Sequence, residues 1–227
     1  MFTGIIEAVG QIDRITPKSG DVELRVHCPG LDMADVQLGD SIATNGICLT
    51  VIEFGPGYFV ADVSAETLRR TTLGQWRSGT RVNLEKALLP TTRLGGHLVS
   101  GHVDGLGTIT VSRQDARSLY FEVEAPRELA RYLAEKGSIT VDGISLTINV
   151  LKGATLSLNL VPHTATKTNI GDWKVGTQVN LEVDVLARYL ERLLLGDRAA
   201  DHDGPHQDGG ITLEFLAQHG FAGKGRG

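Results

Sequence analysis

One short motif occurs twice in the chain, and the residues that could do chemistry differ between the copies. The segment NGICLTV at 45–51 returns as DGISLTI at 142–148, so that Cys48 becomes Ser145 and Asn45 becomes Asp142. A thiol and a hydroxyl differ as nucleophiles, and a nearby carboxylate can polarise a hydroxyl. The pair predicts two sites of similar shape and different reactivity. Drift after a duplication would also produce such differences, so both interpretations stay open at this point.

Two histidines lie among glycines in the segment GGHLVSGHVDG, at His97 and His102. On an extended strand a separation of five residues turns the two rings to opposite faces, so we do not expect them to share a metal ion. His97 lies at the junction between the copies. The other copy has Ile5 where the second has His102. This difference favours His102 as an acid–base group over a purely structural histidine.

These residues belong to a repeat with a constant offset of 97 residues. The offset carries Gly4 to Gly101 and Trp76 to Trp173, and between 67–85 and 164–182 ten of the 19 aligned positions are identical. Unrelated sequences would share about one or two. The chain is therefore predicted to be a duplicated domain of about 90 residues.

Each copy has the alternating apolar and polar pattern of β-strands, punctuated by glycine, proline and aspartate. Five or six short strands per copy suit a small closed barrel, which leaves no sheet edge exposed. A helix is predicted at 126–137. The strands are predicted at 21–28, 40–54, 57–64, 80–88, 118–125, 137–151, 155–161 and 177–185.

After the second copy the periodicity changes. Residues 185–195 carry apolar side chains at helical spacing, which predicts an amphipathic helix. A helix packed on its own barrel and an oligomerisation helix fit this pattern equally well. The Gly/Asp/His-rich segment 196–210 is predicted to be a flexible linker, and 211–222 could form one or two amphipathic turns to which we assign no function.

Composition excludes several classes of partner. The chain has 227 residues, with 22 Lys and Arg against 27 Asp and Glu and no basic stripe, so nucleic acid is not expected to bind. No apolar run is long enough to cross a bilayer, and the first residues lack the positive segment of a secretory signal, so we expect no membrane partner and a cytoplasmic location. The two cysteines, Cys28 and Cys48, predict neither a disulfide nor a structural metal.

At these residues the chain closely resembles the riboflavin synthases of the α-chain type. The resemblance covers about residues 1–195 and rests on MFTGII, NGICLTV, ETLRRTTLG, GGHLVSGHVDG, DGISLT and the repeated W-x-x-G-T-x-V-N-L-E. It implies an all-β fold of two tandem six-stranded Greek-key antiparallel barrels, with a C-terminal helix that assembles a homotrimer. The expected domains are 1–92, 93–184, the trimerisation helix 185–195 and the tail 196–227.

The resemblance implies that two 6,7-dimethyl-8-ribityllumazine molecules are converted into riboflavin and 5-amino-6-(D-ribitylamino)uracil. A four-carbon unit passes from one substrate to the other, without a metal or redox cofactor. The working site is expected between the first barrel of one subunit and the second barrel of its neighbour. An association with lumazine synthase stays open.

The resemblance also implies roles for individual residues. His102 is expected to move a proton at the C7 methyl group of one lumazine, and Ser145 or Thr147, polarised by Asp142, to position or deliver a nucleophile to C7 of the other. Cys48 is expected to line the partner pocket, and Phe2 lies in the segment that folds over the site. The first pocket is expected to hold Gly4, Ile5, Ile6, Cys48, Leu49, Thr50, Asp62, Val63, Ser64, Ala65, Glu66 and Thr67. The second is expected to hold Gly101, His102, Val103, Ser145, Leu146, Thr147, Asn159, Leu160, Val161, Pro162, His163 and Thr164, with Lys136 of the adjacent subunit.

Two other functions fit the sequence less well. A lumazine carrier without catalysis would share the duplicated barrel, but its second site would be degenerate, whereas SGHVDG, DGISLT and HTATKTNIG look intact here. A flavoprotein reductase would need a nicotinamide-binding α/β half with a phosphate-binding loop, and the sequence has no such segment.

Overall fold

The computed structural model describes residues 1–200, and residues 1–190 form one compact unit. Its first half is a closed antiparallel barrel with the strand order β1-β2-β5-β4-β3-β6. The strands are β1 Ala8–Lys18, β2 Asp21–His27, β3 Ser41–Thr44, β4 Ile47–Gly55, β5 Tyr58–Val63 and β6 Arg81–Lys86.

The second half repeats this order with one strand interrupted. Its sheet runs β10-β9-β13-β7-β8-β12-β11. The two outermost strands, β10 and β11, are consecutive pieces of the stretch that matches β4, so the sheet curls back on itself. The prediction of two tandem six-stranded barrels is confirmed, with this break in the second. The strands are β7 Gly105–Asp115, β8 Ser118–Glu124, β9 Ser138–Val141, β10 Ile144–Thr147, β11 Val150–Lys152, β12 Thr155–Leu160 and β13 Gln178–Val183.

The single strands predicted at 40–54 and 137–151 are each a hairpin. Asn45 and Gly46 have φ of 45° and 78°, and Asp142 and Gly143 have φ of 46° and 80°. Consecutive positive φ values make the two-residue turn that matches the twist of the flanking strands. The first residues of both motifs are therefore turn residues, and only the rest continues into β4 and β10.

Helices are short except at the end of the described chain. Instead of the helix predicted at 126–137, the structure has one 3₁₀ helix, Arg127–Tyr132, after which the chain turns through Lys136 at a φ of 65°. The α-helices are α1 Ala65–Arg70, α2 Pro162–Lys167 and α3 Val185–Leu195. Further 3₁₀ helices are Thr72–Gln75, Asn169–Asp172 and Gly196–Ala199. The prediction for the tail otherwise concerns residues outside those described.

Each barrel has its own apolar core, and the repeat places equivalent residues in both. The pairs related by the offset include Ile12 and Ile109, Leu24 and Phe121, Val26 and Val123, Phe59 and Leu156, and Leu84 and Leu181, all at most 2% exposed. The alternation of buried and exposed residues along each strand thus fixes which face fills the barrel.

The two barrels are joined by reciprocal hydrogen bonds around a pair of touching glycines. A Cβ on Gly46 would lie 2.8 Å from the nitrogen of Gly143. The Asn83 amide donates to the carbonyl of Asp142, and the Asn180 amide donates to the carbonyl of Asn45, both at 2.9 Å. Because the polar groups at this interface are buried, each such bond is costly to lose.

Candidate active site

The opening segments of the two repeats cross to the opposite barrel. The carbonyl of Gly4 accepts a hydrogen bond from the nitrogen of Ser145 in the second barrel, and the carbonyl of Gly101 accepts one from the nitrogen of Cys48 in the first, both at 2.8 Å. Ile6 packs on the second core and Val103 on the first. We call residues 1–6 and 98–103 the crossing segments.

This exchange corrects the expected grouping of the pocket residues. The sequence placed Gly4–Ile6 with Cys48, and Gly101–Val103 with Ser145, because each set lies in the same repeat. In the structure Gly101–Val103 lies against the first barrel and Gly4–Ile6 against the second. Each candidate site is therefore completed by the crossing segment of the other repeat.

The first set of site residues, which we call the Cys48 site, lies at one end of β4 and β5. Val51 faces Ala61 across this strand pair, so the residues before Val51 and those after Ala61 are at the same end. The N-cap of α1 is Ser64, whose hydroxyl accepts from the nitrogen of Thr67. The site consists of 48–50, 62–67 and 101–103.

The second set, the Ser145 site, has the same construction. Val150 of β11 faces Ser157 of β12, which places the residues before β11 and those after β12 at one end of the second barrel. There α2 begins after Val161, with a proline in its first turn and without a side-chain cap. The site consists of 145–147, 159–164 and 4–6.

Apart from the half-buried pair Cys48 and Ser145, most chemical differences between the two sites fall on exposed side chains. Thr50 and Thr147 are conserved between the repeats and are both exposed. From the Cys48 site to the Ser145 site, the exposed positions change from Asp62 to Asn159, Ser64 to Val161, Glu66 to His163 and His102 to Ile5. The framework is therefore shared, while the groups that face solvent differ.

Ser145 has a partner that the sequence did not predict. Its hydroxyl lies 2.7 Å from Nδ1 of His97, and Nε2 of the same ring lies 3.3 Å from the hydroxyl of Thr140. His97 is only 8% exposed, and this burial lowers the pKa of the imidazole. The neutral ring, with its proton on Nε2, can accept the Ser145 proton at Nδ1 and donate to Thr140.

In the sequence, the only sign of the contact between His97 and Ser145 is Gly96, which precedes His97. A Cβ on Gly96 would lie 2.7 Å from the Cβ of Ser145, so only glycine allows this approach. Cys48, by contrast, has a half-buried free thiol, and within residues 1–200 no hydrogen bond joins it to a histidine. The Ser145 site thus has a base next to its nucleophile, and the Cys48 site has the exposed His102.

Asp142 is directed away from both hydroxyls. One carboxylate oxygen accepts from the nitrogen of Asn180 at 2.8 Å, and the other accepts from the indole nitrogen of Trp173 at 3.2 Å. Burial at the interface between the barrels raises the pKa of Asp142 to about 7. The structure does not bring this side chain to Ser145 or Thr147, where the sequence expected it to polarise a hydroxyl.

Phe2 packs next to Cys48 and is fully buried. Its backbone pairs with Val99, which joins the two crossing segments. A Cβ on Gly101 would lie 2.8 Å from the Phe2 ring and 2.7 Å from the Cβ of Cys48. Phe2 therefore packs against residues of the Cys48 site, and the expectation that its segment folds over the site stays a prediction.

The remaining predicted residues have simple surroundings. Glu66 pairs with Arg69 and Arg70, and hydrogen bonds from these arginines lower the pKa of its carboxyl. Lys136 is exposed, and its backbone nitrogen donates to the carbonyl of Ile148 at the break between β10 and β11.

In the part of the chain that the structure describes, no three His, Cys, Asp or Glu side chains are grouped as metal ligands would be. None of the helices described there has the length and apolar character needed to span a bilayer.

Comparison with known proteins identifies the repeat. The model of the lumazine binding domain matches residues 3–87 and again 100–184. A riboflavin synthase of Photobacterium phosphoreum is 52% identical over 97% of this chain and 99% of that protein. A riboflavin synthase of Bacillus subtilis (strain 168) is 41% identical over 97% of this chain and the whole of that protein.

The fold also occurs in a solved structure. LumP complexed with 6,7-dimethyl-8-(1'-D-ribityl) lumazine matches with a TM-score of 0.73 and 23% identity, over 81% of this chain and 99% of that one. At this level of identity the likeness concerns the fold alone.

Proposed function

The chain belongs to the riboflavin synthase family, whose members carry the lumazine binding domain, and on that premise we propose that it forms riboflavin from two lumazine molecules. In this reaction one 6,7-dimethyl-8-ribityllumazine gives a four-carbon unit to another, which yields riboflavin and 5-amino-6-(D-ribitylamino)uracil. The enzyme is thus a transferase. The proposal is carried by one observation: the Cys48 and Ser145 sites share a framework and differ in their reactive groups.

The Ser145 site is assigned to the lumazine that is attacked. As a bond forms between C7 and the Ser145 hydroxyl oxygen, or a water molecule held by it, the π bond at C7 breaks, its electron pair moves into the pteridine ring, and Nδ1 of His97 takes the proton of the nucleophile. A neutral imidazole is needed for this step, and the burial that lowers the pKa of His97 favours the neutral form. Thr140 keeps the remaining ring proton on Nε2.

The Cys48 site is assigned to the lumazine that loses a proton from its C7 methyl group. His102 is exposed at this site, and it follows Gly101, whose carbonyl is bound to the nitrogen of Cys48. The ring can therefore approach a bound substrate while its backbone is held in place. Thr50 and Thr147 occupy equivalent exposed positions and would orient the two substrates in the same way.

A homotrimer is part of the proposal, with each working site formed by the Cys48 site of one subunit and the Ser145 site of its neighbour. Support comes from α3, an apolar helix whose large side chains are exposed. Leu186, Tyr189, Leu190, Leu193 and Leu194 are 56–81% exposed. Such a patch normally marks an interface. Lys136 lies next to the Ser145 site of its own chain, where its backbone nitrogen donates to the carbonyl of Ile148, so we assign it to that site rather than to the site of the adjacent subunit that the sequence expected.

The remaining organisation follows the sequence prediction. We place the domains at 1–92 and 93–184, the trimerisation helix at 185–195 and a tail at 196–227, in a cytoplasmic protein. Co-purification with lumazine synthase tests an association between the two proteins. No cofactor is included. Preorienting two large reactants can itself lower a barrier by several kcal/mol, up to about 7–11 in ideal cases.

The function is tested by mixing purified protein with the lumazine alone, without added cofactor or oxygen, and following the absorption of riboflavin. Riboflavin formed at half the amount of lumazine consumed supports the dismutation. Tight binding without turnover would instead identify a lumazine carrier.

A further inference from the structure

One buried glutamate of each repeat binds the crossing segment of that repeat. One oxygen of Glu85 accepts from the backbone nitrogen of Thr3 at 2.6 Å and from the Thr3 hydroxyl at 2.7 Å. Its other oxygen accepts from the nitrogen of Gly4 at 2.9 Å. Glu85 is 4% exposed, so these three donors are its surroundings in place of water.

Glu182 makes the same three bonds in the second repeat. It accepts from the nitrogen and the hydroxyl of Ser100 at 2.6 and 2.7 Å, and from the nitrogen of Gly101 at 3.0 Å. Glu182 is also 4% exposed. The offset of 97 relates every partner, so both copies keep the arrangement although their reactive residues differ.

The bonds end at the glycines that complete the two sites. The N–H of Gly101 donates to Glu182, and its carbonyl accepts from the nitrogen of Cys48. The N–H of Gly4 donates to Glu85, and its carbonyl accepts from the nitrogen of Ser145. Each glutamate of one barrel is thus one residue away from a reactive group of the other barrel.

Only a carboxylate fits these donors. The two backbone N–H groups donate, and both carboxylate oxygens accept. A glutamine of the same shape would turn its NH₂ group toward one of them and leave two donors facing each other. Burial raises the pKa of both glutamates, although their hydrogen bonds act to lower it. The negative charge of Glu7 adds to the rise at Glu85, and that of Asp104 adds to the rise at Glu182.

We propose that Glu182 and Glu85 are positioning residues for the two substrate sites: Glu182 holds Gly101–Val103 in the Cys48 site, and Glu85 holds Gly4–Ile6 in the Ser145 site. The effect is crossed, because each glutamate sits in the barrel opposite to the site that it organises. The assignment of these sites to substrate rests on the proposed function, while the positioning itself rests on the hydrogen bonds.

Thiol labelling tests the crossed effect without turnover. Cys48 is half-buried and reports on its own site, whereas Cys28 is buried, with its pKa raised by burial to about 11, and serves as an unreactive internal control. A second background, Cys48→Ser with Ser145→Cys, moves the reporter thiol to the other site. Labelling by iodoacetamide is followed by mass spectrometry in both backgrounds.

The expected result is a crossover between the two glutamate variants. Glu182→Gln speeds labelling of Cys48 roughly tenfold, because one charge-assisted bond to Gly101 is lost, and leaves a thiol at position 145 unchanged. Glu85→Gln does the reverse. If a glutamine variant fails to fold, Ser100→Ala and Thr3→Ala remove one of the three bonds each and give the same crossover with a smaller size.

Equal acceleration at both sites, or none at either, overturns the proposal. Riboflavin formation gives a second readout, in which Glu182→Gln lowers kcat on the order of tenfold through displacement of His102, while the exposed Glu53→Gln leaves kcat unchanged. An unchanged kcat in Glu182→Gln also counts against it. A labelling crossover between the glutamate variants, together with a parent protein that makes no riboflavin, would support the positioning role and reject the proposed function.

Discussion

Replacing Asp142 by asparagine is expected to change how the stability of the protein depends on pH. Asp142 is 4% exposed at the interface between the barrels, and burial raises its pKa from 3.8 to about 7. The folded chain therefore holds this proton more tightly than the unfolded chain. The protonated side chain of Asp142 therefore contributes most to stability below about pH 4, and this contribution is lost as the pH rises toward 7.

The magnitude follows from the same values. A tenfold change in proton affinity corresponds to about 1.4 kcal/mol, so a rise from 3.8 to about 7 makes the ionised carboxylate cost about 4 kcal/mol at pH 8. Asparagine avoids this cost but places an NH₂ group opposite the indole N–H of Trp173, which loses a bond of about 1–2 kcal/mol at every pH. Asp142→Asn should thus be less stable than the parent at pH 4 and more stable, by about 2–3 kcal/mol, at pH 8.

The assay is urea unfolding of both proteins at equal concentration between pH 4 and 8. Other buried groups, such as Glu85, Glu182 and His97, titrate in both proteins and cancel in the difference. The matched control is Asn45→Asp, which puts a carboxylate at the equivalent turn and should show the opposite trend with pH. A difference between Asp142→Asn and the parent that stays flat across this range would refute the reasoning.

Three further predictions follow from the site, the interface and α3. His97→Ala and Ser145→Ala should each lower kcat about 10²–10⁴-fold. The double variant should lose little more activity, because the two side chains act as one unit. Losses that add up in steady-state kinetics would contradict a joint role of the two side chains. Gly143→Ala should lower the free energy of unfolding by more than about 1 kcal/mol, and thermal unfolding measures the loss. The reason is that φ of Gly143 is 80° and that the added Cβ would lie 2.7 Å from the nitrogen of Gly46. If the proposed trimer is held by α3, Leu190→Lys should dissociate it in analytical ultracentrifugation, whereas the conservative Arg192→Lys on the same helix should not. A trimer that survives Leu190→Lys would exclude α3 as its contact.

The sequence predicted the two barrels well because the repeat and the alternation of apolar residues are local signals. The hairpin turns were missed although Asn-Gly and Asp-Gly are strong turn signals. Asn45 and Asp142 were considered as site chemistry, and their place in a turn at the interface explains their burial instead. The sequence shows that Asn45 and Asp142 differ between the repeats, but the role of these two residues depends on the contact between the barrels.

The composition of the two sites could not be obtained from the repeat. An internal offset tells which residues are equivalent, but it does not tell which barrel a segment lies against. The exchange of Gly4–Ile6 and Gly101–Val103 is a tertiary event, and so is the contact of His97 with Ser145 across 48 residues. Glu85 and Glu182 were visible as matched residues, but only their hydrogen bonds reveal what they hold.

An isotope experiment tests most directly whether the protein builds riboflavin from the four-carbon units of two lumazine molecules. Equal amounts of unlabelled lumazine and lumazine labelled in its four transferable carbons are mixed with the protein, and the riboflavin formed is examined by mass spectrometry. Because both four-carbon units enter the product, riboflavin should carry none, four or eight labelled carbons in the ratio one to two to one. Riboflavin that carries at most four labelled carbons, or bound lumazine that is never converted, would contradict the account.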